Sequence, residues 1–190
     1  SIESQAVDFS LIEVLVVDDC STDSSLETIL GYETNIELVI DKLSKNGGPG
    51  IARNRGLLLA KGKYILFLDA DDRLYPGSLA TLINIITNYD YDLIAYNWTY
   101  MSDIEESGQP VKRRRDLASM PTQRDKITEH YLGMNMDGSV IYTLADKELF
   151  SSYNIEFPAG FHEDMSVIFK IYYAAKKIHK LDKVLSVSYT

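Results

Sequence analysis

Residues 64–72 have the sequence Tyr64-Ile-Leu-Phe-Leu-Asp-Ala-Asp-Asp72, in which a short apolar run ends in three carboxylates. The apolar part has the length and residue types of a buried strand and is too short for a helix. A strand that ends in acids places them at the carboxyl edge of a sheet, where open α/β sheets bind ligands. Such acids repel one another unless a cation lies between them, and a hard divalent ion that also binds phosphate would satisfy them. The alternative is an acidic turn in which one Asp caps the next helix, and the local sequence leaves both open.

The composition is that of an ordinary globular protein and excludes several classes. The 190 residues are enough for one domain with a real core. A net charge of −9 argues against a general nucleic-acid binder, and no apolar run approaches the roughly 20 residues of a membrane span. The single cysteine, Cys20, forms no internal disulfide and fits a reducing compartment. Both ends of the chain fall within structural patterns, so we expect a single domain over 1–190 that lacks sequence at both ends.

The order of apolar runs and turn residues predicts alternating strands and helices. Strands are predicted at 11–17, 36–40, 64–68 and 92–100, and helices at 24–30, 51–60 and 76–88. This order predicts a mostly parallel sheet covered by helices. The polar stretch 102–125 is predicted to be an exposed excursion. After it we expect helices at 124–132, 147–152 and 163–177, and strands at 140–144, 178–181 and 184–187.

Four stretches together resemble the motifs of one known family. Residues 16–23 resemble "VVDDxSTD", residues 46–57 resemble "NxGxxxARNxGL", residues 67–72 match "DxD" followed by Asp, and residues 163–164 resemble "ED". In this order they are similar to glycosyltransferase family 2, an inverting family with the GT-A fold. The resemblance implies an α/β, Rossmann-like nucleotide-binding sheet. The family's opening strand with its "PxYN"-like stretch is absent, so the first strand is expected to be missing.

The resemblance implies binding roles for the first two motifs. One of Asp18 and Asp19 is expected to accept an N–H from the base of the donor, although a capping role for Asp19 stays open. Gly48 lies in a loop that lets the backbone approach a ligand and leads into a helix N-terminus, which favours anions. Arg53 is expected to add a charge-assisted contact to the donor. Arg55, two positions on, is expected to face elsewhere as a surface or structural residue.

The other two motifs imply the chemistry. Asp71 is the expected ligand of Mn²⁺ or Mg²⁺, and Asp69 either shares the metal or contacts the ribose. Asp164 is the expected general base, with Glu163 as the second candidate. The alternative for this acidic pair is simple stabilisation by a helix dipole. The family often has a further metal-binding His, and we do not assign that role to His179.

The resemblance therefore implies an enzyme that moves a sugar from a nucleoside-diphosphate donor, UDP-linked, to a hydroxyl acceptor with inversion. The expected setting is bacterial cell-surface polysaccharide or glycolipid synthesis in the cytoplasm, with a saccharide or lipid-linked saccharide acceptor and no nucleic acid. The basic run 112–115 either meets anionic lipids at the inner face of the plasma membrane or is simply solvated.

Three other interpretations remain. A sugar-phosphate nucleotidyltransferase shares the nucleotide-binding architecture, but its glycine-rich signature would lie upstream. A receiver-like Mg²⁺-binding module also pairs acids at strand ends. Against the latter, the strand at 93–96 ends without the expected Ser or Thr, and residues 46–57 have no place in it. A non-catalytic binding module is the third.

Overall fold

Strands and helices alternate through residues 1–110, 117–133, 139–160 and 162–189, which are the residues that the computed structural model describes. The strands are β1 (Glu13–Asp18), β2 (Glu37–Lys42), β3 (Tyr64–Leu66), β4 (Arg73–Leu74), β5 (Leu93–Tyr100), β6 (Thr143–Asp146) and β7 (Ile178–Ser188). The α-helices are α1 (Ser25–Leu30), α2 (Pro49–Leu59), α3 (Ser78–Asn88), α4 (Arg124–Leu132), α5 (Lys147–Ser152) and α6 (Glu163–Ala174).

The strands form two hydrogen-bonded groups. Strands β1 and β2 pair in parallel, and the other five form a sheet in the order β3-β6-β5-β7-β4. Within that sheet β5 and β7 are parallel, whereas the β3–β6, β5–β6 and β4–β7 pairs are antiparallel. The α/β class is confirmed, and the pairing is mixed: two of these strand pairs, β1–β2 and β5–β7, are parallel, and three are antiparallel. An apolar run indicates that a strand is buried, but it does not indicate the direction in which the strand pairs. That direction depends on neighbouring strands that lie far away in sequence.

Most predicted elements lie within a few residues of the observed ones. The side chain of Asp146 caps α5 by accepting a hydrogen bond from the Glu148 amide at 2.8 Å. The strand predicted at 140–144 instead begins as a 3-10 helix at Val140–Tyr142. The two strands predicted after α6 are one strand, β7, with an irregular register opposite Asn97.

The hydrophobic core joins the centre of the sheet to α6. Residues Leu93–Tyr96 of β5 are completely buried, as are Val167, Ile168, Ile171 and Tyr172 on one side of α6. Tyr96 is therefore a core residue, and its hydroxyl donates to the Ile141 carbonyl at 2.8 Å. None of the helices within the described ranges has the length and apolar character needed to cross a bilayer.

The stretch predicted as an exposed excursion, 102–125, is only partly exposed. Residues 105–109 are exposed, but Leu117 and Met120 are buried in the main core. The Lys180 ammonium, on β7, donates to the Met120 carbonyl at 3.0 Å and so fastens the end of the stretch to the sheet. The basic run 112–115 lies outside the described residues.

Helix α2 begins at a tight approach between two parts of the backbone. Gly48 precedes the helix with φ of 83°, a conformation that favours glycine, and Pro49 occupies the first helical position. A Cβ atom on Gly50 would lie 2.7 Å from the Pro158 carbonyl oxygen and 3.0 Å from Cγ of Glu163. Gly50 therefore allows α2 to touch the segment that leads into α6.

We predict opposite effects for two glycine substitutions in α2. Gly50→Ala should lower the free energy of unfolding by on the order of 1–3 kcal/mol, because its methyl group overlaps backbone that cannot move aside freely. The matched control is Gly56→Ala, where a Cβ would meet Val17 at an ordinary 3.9 Å. The control should gain up to about 1 kcal/mol from helix propensity. Urea denaturation measures both, and equal effects would contradict the close approach at Gly50.

Candidate active site

The acidic pair after β1 organises the neighbouring loops. Both carboxylate oxygens of buried Asp18 accept from the Ser21 amide, at 3.2 and 3.3 Å. The Asp19 carboxylate accepts from the amides of Gly47 and Gly48, each at 2.7 Å. Asp19 therefore caps the loop that enters α2, and this contact ties the glycine loop to the end of β1. The expected contact of either Asp with a nucleotide base stays a prediction.

Three consecutive side chains of α2 contact three different parts of the fold. Successive residues of a helix point about 100° apart, so neighbours in sequence diverge in space. Arg53 binds the carboxylates of Asp69 and Glu163. Arg55 pairs with Asp41 of β2 through two bonds of 2.8 and 2.9 Å, which gives it the structural role expected for it. Asn54, between them, contacts the backbone of Phe157.

The Arg53 ion pairs join two motifs that lie far apart in sequence. Its Nη2 is 2.8 Å from Oδ1 of Asp69, and its Nη1 contacts Oε1 of Glu163. The side chains of Arg53 and Glu163 are only 12% and 10% exposed, whereas that of Asp69 is 41% exposed. Burial alone would lower the pKa of Arg53, but the hydrogen bonds and charges of the two acids outweigh burial and raise it. Arg53 therefore remains charged, and its one positive charge is shared by the two carboxylates.

The three acids after β3 have different environments. Asp69 is bound by Arg53, Asp71 is exposed, and Asp72 is buried. The Asp72 amide donates to the Asp69 carbonyl at 3.0 Å, which forms a turn. Burial raises the pKa of Asp72, against an opposing hydrogen bond from the Ser188 side chain. Asp72 therefore fastens this turn to the end of β7, and Asp71 is left facing solvent.

The acids of this turn supply too few ligands to hold a divalent cation by themselves, so substrate and water would have to complete its coordination. No group of three His, Cys, Asp or Glu side chains suited to a metal occurs in the described part of the chain. Asp69 and Asp71 supply the hard oxygen donors that Mg²⁺ and Mn²⁺ prefer, and Mg²⁺ commonly completes its shell with substrate phosphates and water. His179 stacks on Tyr91 near the start of β7, whereas Asp72 contacts Ser188 at its end. The residues of β5 paired with His179 and Ser188 are six positions apart, which is roughly 20 Å along the strand. His179 is thus excluded as a ligand at this turn.

The two acids at the start of α6, Glu163 and Asp164, also lie in different environments. Burial raises the pKa of Asp164, and the neighbouring negative charge of Glu163 raises it further. The charge of Arg53 and a hydrogen bond with Ser139 oppose this shift. Glu163 is buried, and its carboxylate is bound to Arg53. Asp164 is therefore the member of the pair with the raised proton affinity, a property that suits a general base.

The sequence analysis did not identify the contacts of three residues in this site, Gly50, Asn54 and Ser139. Asn54 and Gly50 lie inside the 46–57 motif, so their positions were marked but their partners were not. Ser139 lies outside every motif, and no local signal connects it to Asp164.

The fold, with acids at its strand ends, has the GT-A architecture of known glycosyltransferases. The structure is similar to the crystal structure of S. aureus TarS 1–349 in complex with UDP-GlcNAc, with a TM-score of 0.80 and 25% identity. That match covers 100% of this chain and 52% of TarS 1–349. A mannosyltransferase from Pyrobaculum calidifontis, in complex with GDP-Man and Mn²⁺, shares the fold with a TM-score of 0.65.

The chain belongs to glycosyltransferase family 2. The family model described as "Glycosyl transferase family 2" matches residues 1–147, which confirms the resemblance seen in the motifs. A poly(ribitol-phosphate) beta-glucosyltransferase from Bacillus spizizenii is 31% identical over 87% of this chain and 25% of that protein. The uncharacterized glycosyltransferase YibD from Escherichia coli is 30% identical over 81% of this chain and 45% of YibD. The chain thus spans less than half the length of these relatives.

We predict that the two arginines of α2 differ in their effect on stability. Arg53→Met should lower the free energy of unfolding by about 2–4 kcal/mol, because it leaves buried Glu163 without a counter-charge. Arg55→Met, the matched control, removes a better exposed pair and should cost much less. Chemical denaturation at neutral pH measures both values. Adding Glu163→Gln to Arg53→Met should restore part of the loss, and no restoration would contradict the Arg53–Glu163 pairing.

We also predict that Asp164→Asn stabilises the chain at neutral pH. Because the folded pKa of Asp164 is raised, the folded state binds its proton more tightly than the unfolded state does. The stability that this group contributes therefore falls as the pH rises from its ordinary pKa through the folded pKa. Thermal denaturation should show a higher Tm for Asp164→Asn at pH 7, with the difference shrinking toward about pH 4. Glu163→Gln should instead lower the Tm, and a destabilising Asp164→Asn would disprove the assignment.

Proposed function

We propose that the chain transfers a sugar from a UDP-linked donor to a hydroxyl acceptor, with inversion and with a divalent metal. The observation that carries this proposal is the bridge made by Arg53 between Asp69 and Glu163. It joins the acids after β3, suited to the donor's diphosphate, to Glu163, the residue that precedes the candidate base Asp164. The printed names of similar proteins support the donor, since the TarS structure holds UDP-GlcNAc and the B. spizizenii relative is a glucosyltransferase.

The proposed chemistry assigns the proton transfer to Asp164. Its carboxylate takes the proton of the acceptor hydroxyl, and the oxygen attacks the anomeric carbon on the face opposite the leaving nucleoside diphosphate. The bond to the diphosphate breaks as the new glycosidic bond forms, which inverts the anomeric configuration. A pKa raised by burial and by Glu163 favours this role, since a base of higher proton affinity accepts a hydroxyl proton more readily.

The donor side is assigned to the motifs around α2 and β3. Asp69 and Asp71 would hold Mn²⁺ or Mg²⁺, which when bound neutralises the charge of the leaving diphosphate. Arg53 is already shared by two carboxylates, so we propose that it serves the donor chiefly by fixing Asp69. Gly48, held by Asp19, lets the loop come close to the nucleotide. The base contact is assigned to Asp18 or Asp19.

The acceptor and setting are proposed from similar proteins. Relatives include poly(ribitol-phosphate) glycosyltransferases and a putative teichuronic acid biosynthesis glycosyltransferase from Bacillus subtilis. We therefore propose a saccharide or lipid-linked saccharide acceptor in bacterial cell-surface polymer synthesis, on the cytoplasmic side. Peripheral membrane association through residues 112–115 stays a prediction. Membership of family 2 argues against the nucleotidyltransferase and receiver-like alternatives.

The proposal predicts metal-dependent binding of UDP. Calorimetric titration with UDP and GDP, each with and without Mn²⁺, should show UDP binding only with metal. Asp71→Ala should abolish that binding without unfolding the chain, because the side chain of Asp71 is exposed. Asp90→Ala, at an exposed acid that pairs with Lys63 and Lys177, is the control and should bind as the wild type does.

The same titration separates binding from transfer. Asp164→Asn should bind UDP normally but release no UDP from UDP-glucose or UDP-GlcNAc, because the base is lost. Unchanged Mn²⁺-dependent binding in Asp71→Ala would overturn the metal assignment, and near-normal turnover in Asp164→Asn would overturn the base.

A further inference from the structure

The side-chain amide of Asn54 holds the backbone of Phe157 from both sides. Its Nδ2 donates to the Phe157 carbonyl at 2.8 Å, and its Oδ1 accepts from the Phe157 amide at 2.9 Å. The two residues are 103 positions apart, so this contact is a tertiary clamp and not a turn. A primary amide is the side-chain group that offers a donor and an acceptor side by side without charge.

Phe157 is fixed by its ring as well as by its backbone. The side chain is buried, and its ring meets Phe67 edge-on with centroids 5.3 Å apart. The guanidinium carbon of Arg53 lies 5.6 Å from the centre of the same ring. Phe67 comes two residues before Asp69, so Phe157 packs directly against the strand end that bears the acidic turn.

The clamp holds one end of the segment that delivers the candidate base. Six residues after Phe157, Glu163 is held by Arg53, the helix neighbour of Asn54. Gly50 of the same helix has the Pro158 carbonyl against its Cα, with no room for a methyl group. Helix α2 therefore fixes both Phe157 and Glu163, and the chain between them is confined at its two ends.

We propose that Asn54 is a positioning residue for sugar transfer, acting through Phe157 on the placement of Asp164. The inference rests on the proposed function, in which Asp164 is the base of a transfer from a UDP-linked donor. Asn54 bonds the backbone of Phe157, and Arg53 bonds Asp69 and Glu163. The two residues thus have different roles. Arg53 balances the charge of the acids, and Asn54 fixes the position of the segment that runs from Phe157 to Asp164.

The kinetic test compares Asn54→Ala and Asn54→Asp with the wild type. The Asp variant can still accept from the Phe157 amide but cannot donate to its carbonyl, so it should behave like the Ala variant. Release of UDP from UDP-glucose and UDP-GlcNAc should show kcat reduced on the order of 10- to 100-fold, since a misplacement of about 1 Å has such effects. The donor KM and the Kd for UDP with Mn²⁺ should stay within about twofold of wild type, because the misplaced group is the base and not the donor site.

Asn88→Ala is the matched control, because Asn88 is an exposed helix residue whose side-chain amide donates to Asn84 of the same helix. It should leave kcat, KM and Kd unchanged. A wild-type kcat in Asn54→Ala would overturn the inference. So would a parallel loss of UDP affinity and kcat, since that result would assign Asn54 to general folding of the site.

A second measurement does not depend on activity. Carbon-13 NMR titration of the Asp164 carboxyl should show its pKa in Asn54→Ala moving toward the ordinary aspartate value, as Asp164 leaves its place beside Glu163, Arg53 and Ser139. Amide exchange at Phe157 should accelerate in the same variant. If the wild type neither binds UDP nor releases it, the proposed function fails. In that case an unchanged Asp164 pKa would overturn the positioning role, and a shifted pKa would support it.

Discussion

The candidate site depends on one buried guanidinium shared by two carboxylates. Asp69 and Glu163 are 94 residues apart in sequence, yet both bind Arg53, and without it their charges would repel in a partly dry environment. A guanidinium suits this position because its planar fork offers several donors at fixed angles and stays charged when buried. Removal of water from such a group is costly, so the pairing must be geometrically complete to persist. Because both acids must bind the same guanidinium, the separation of Asp69 and Glu163 is fixed by the size of that group.

Helix α2, which carries Arg53, also contacts several other parts of the fold. The Asp19 carboxylate holds the loop at its start, Gly50 lets its first turn touch the Pro158 carbonyl, and Asn54 holds Phe157. Each contact reaches a different element, yet all start from one helix of 11 residues. Any shift of α2 relative to β1 would therefore move the glycine loop and the start of α6 together. The glycine loop and the start of α6 are thus joined through the hydrogen bonds, ion pairs and packing of one helix.

The sequence predicted what is local and missed what is distant. Strand β5 and the helices α3 and α5 followed from periodicity and turn residues, which are encoded within about ten positions. The antiparallel β3–β6 pair and the Asn54–Phe157 clamp join residues some 80 to 100 positions apart, and no local pattern contains them. The motif resemblance marked Arg53, Asp69 and Glu163 as site residues, but only the structure shows that they bind one another.

The two adjacent acids at the start of α6 have different roles in the structure because their contacts differ. Glu163 gives its carboxylate to Arg53, so it contributes charge balance and anchorage. Asp164, one residue on, is held in a partly buried place beside that same glutamate, and its pKa is raised. Glu163 thus both anchors the helix start and raises the proton affinity of its neighbour, which supports the role of base that we propose for Asp164. Under that proposal the pair has a physical reason beyond stabilisation of a helix dipole.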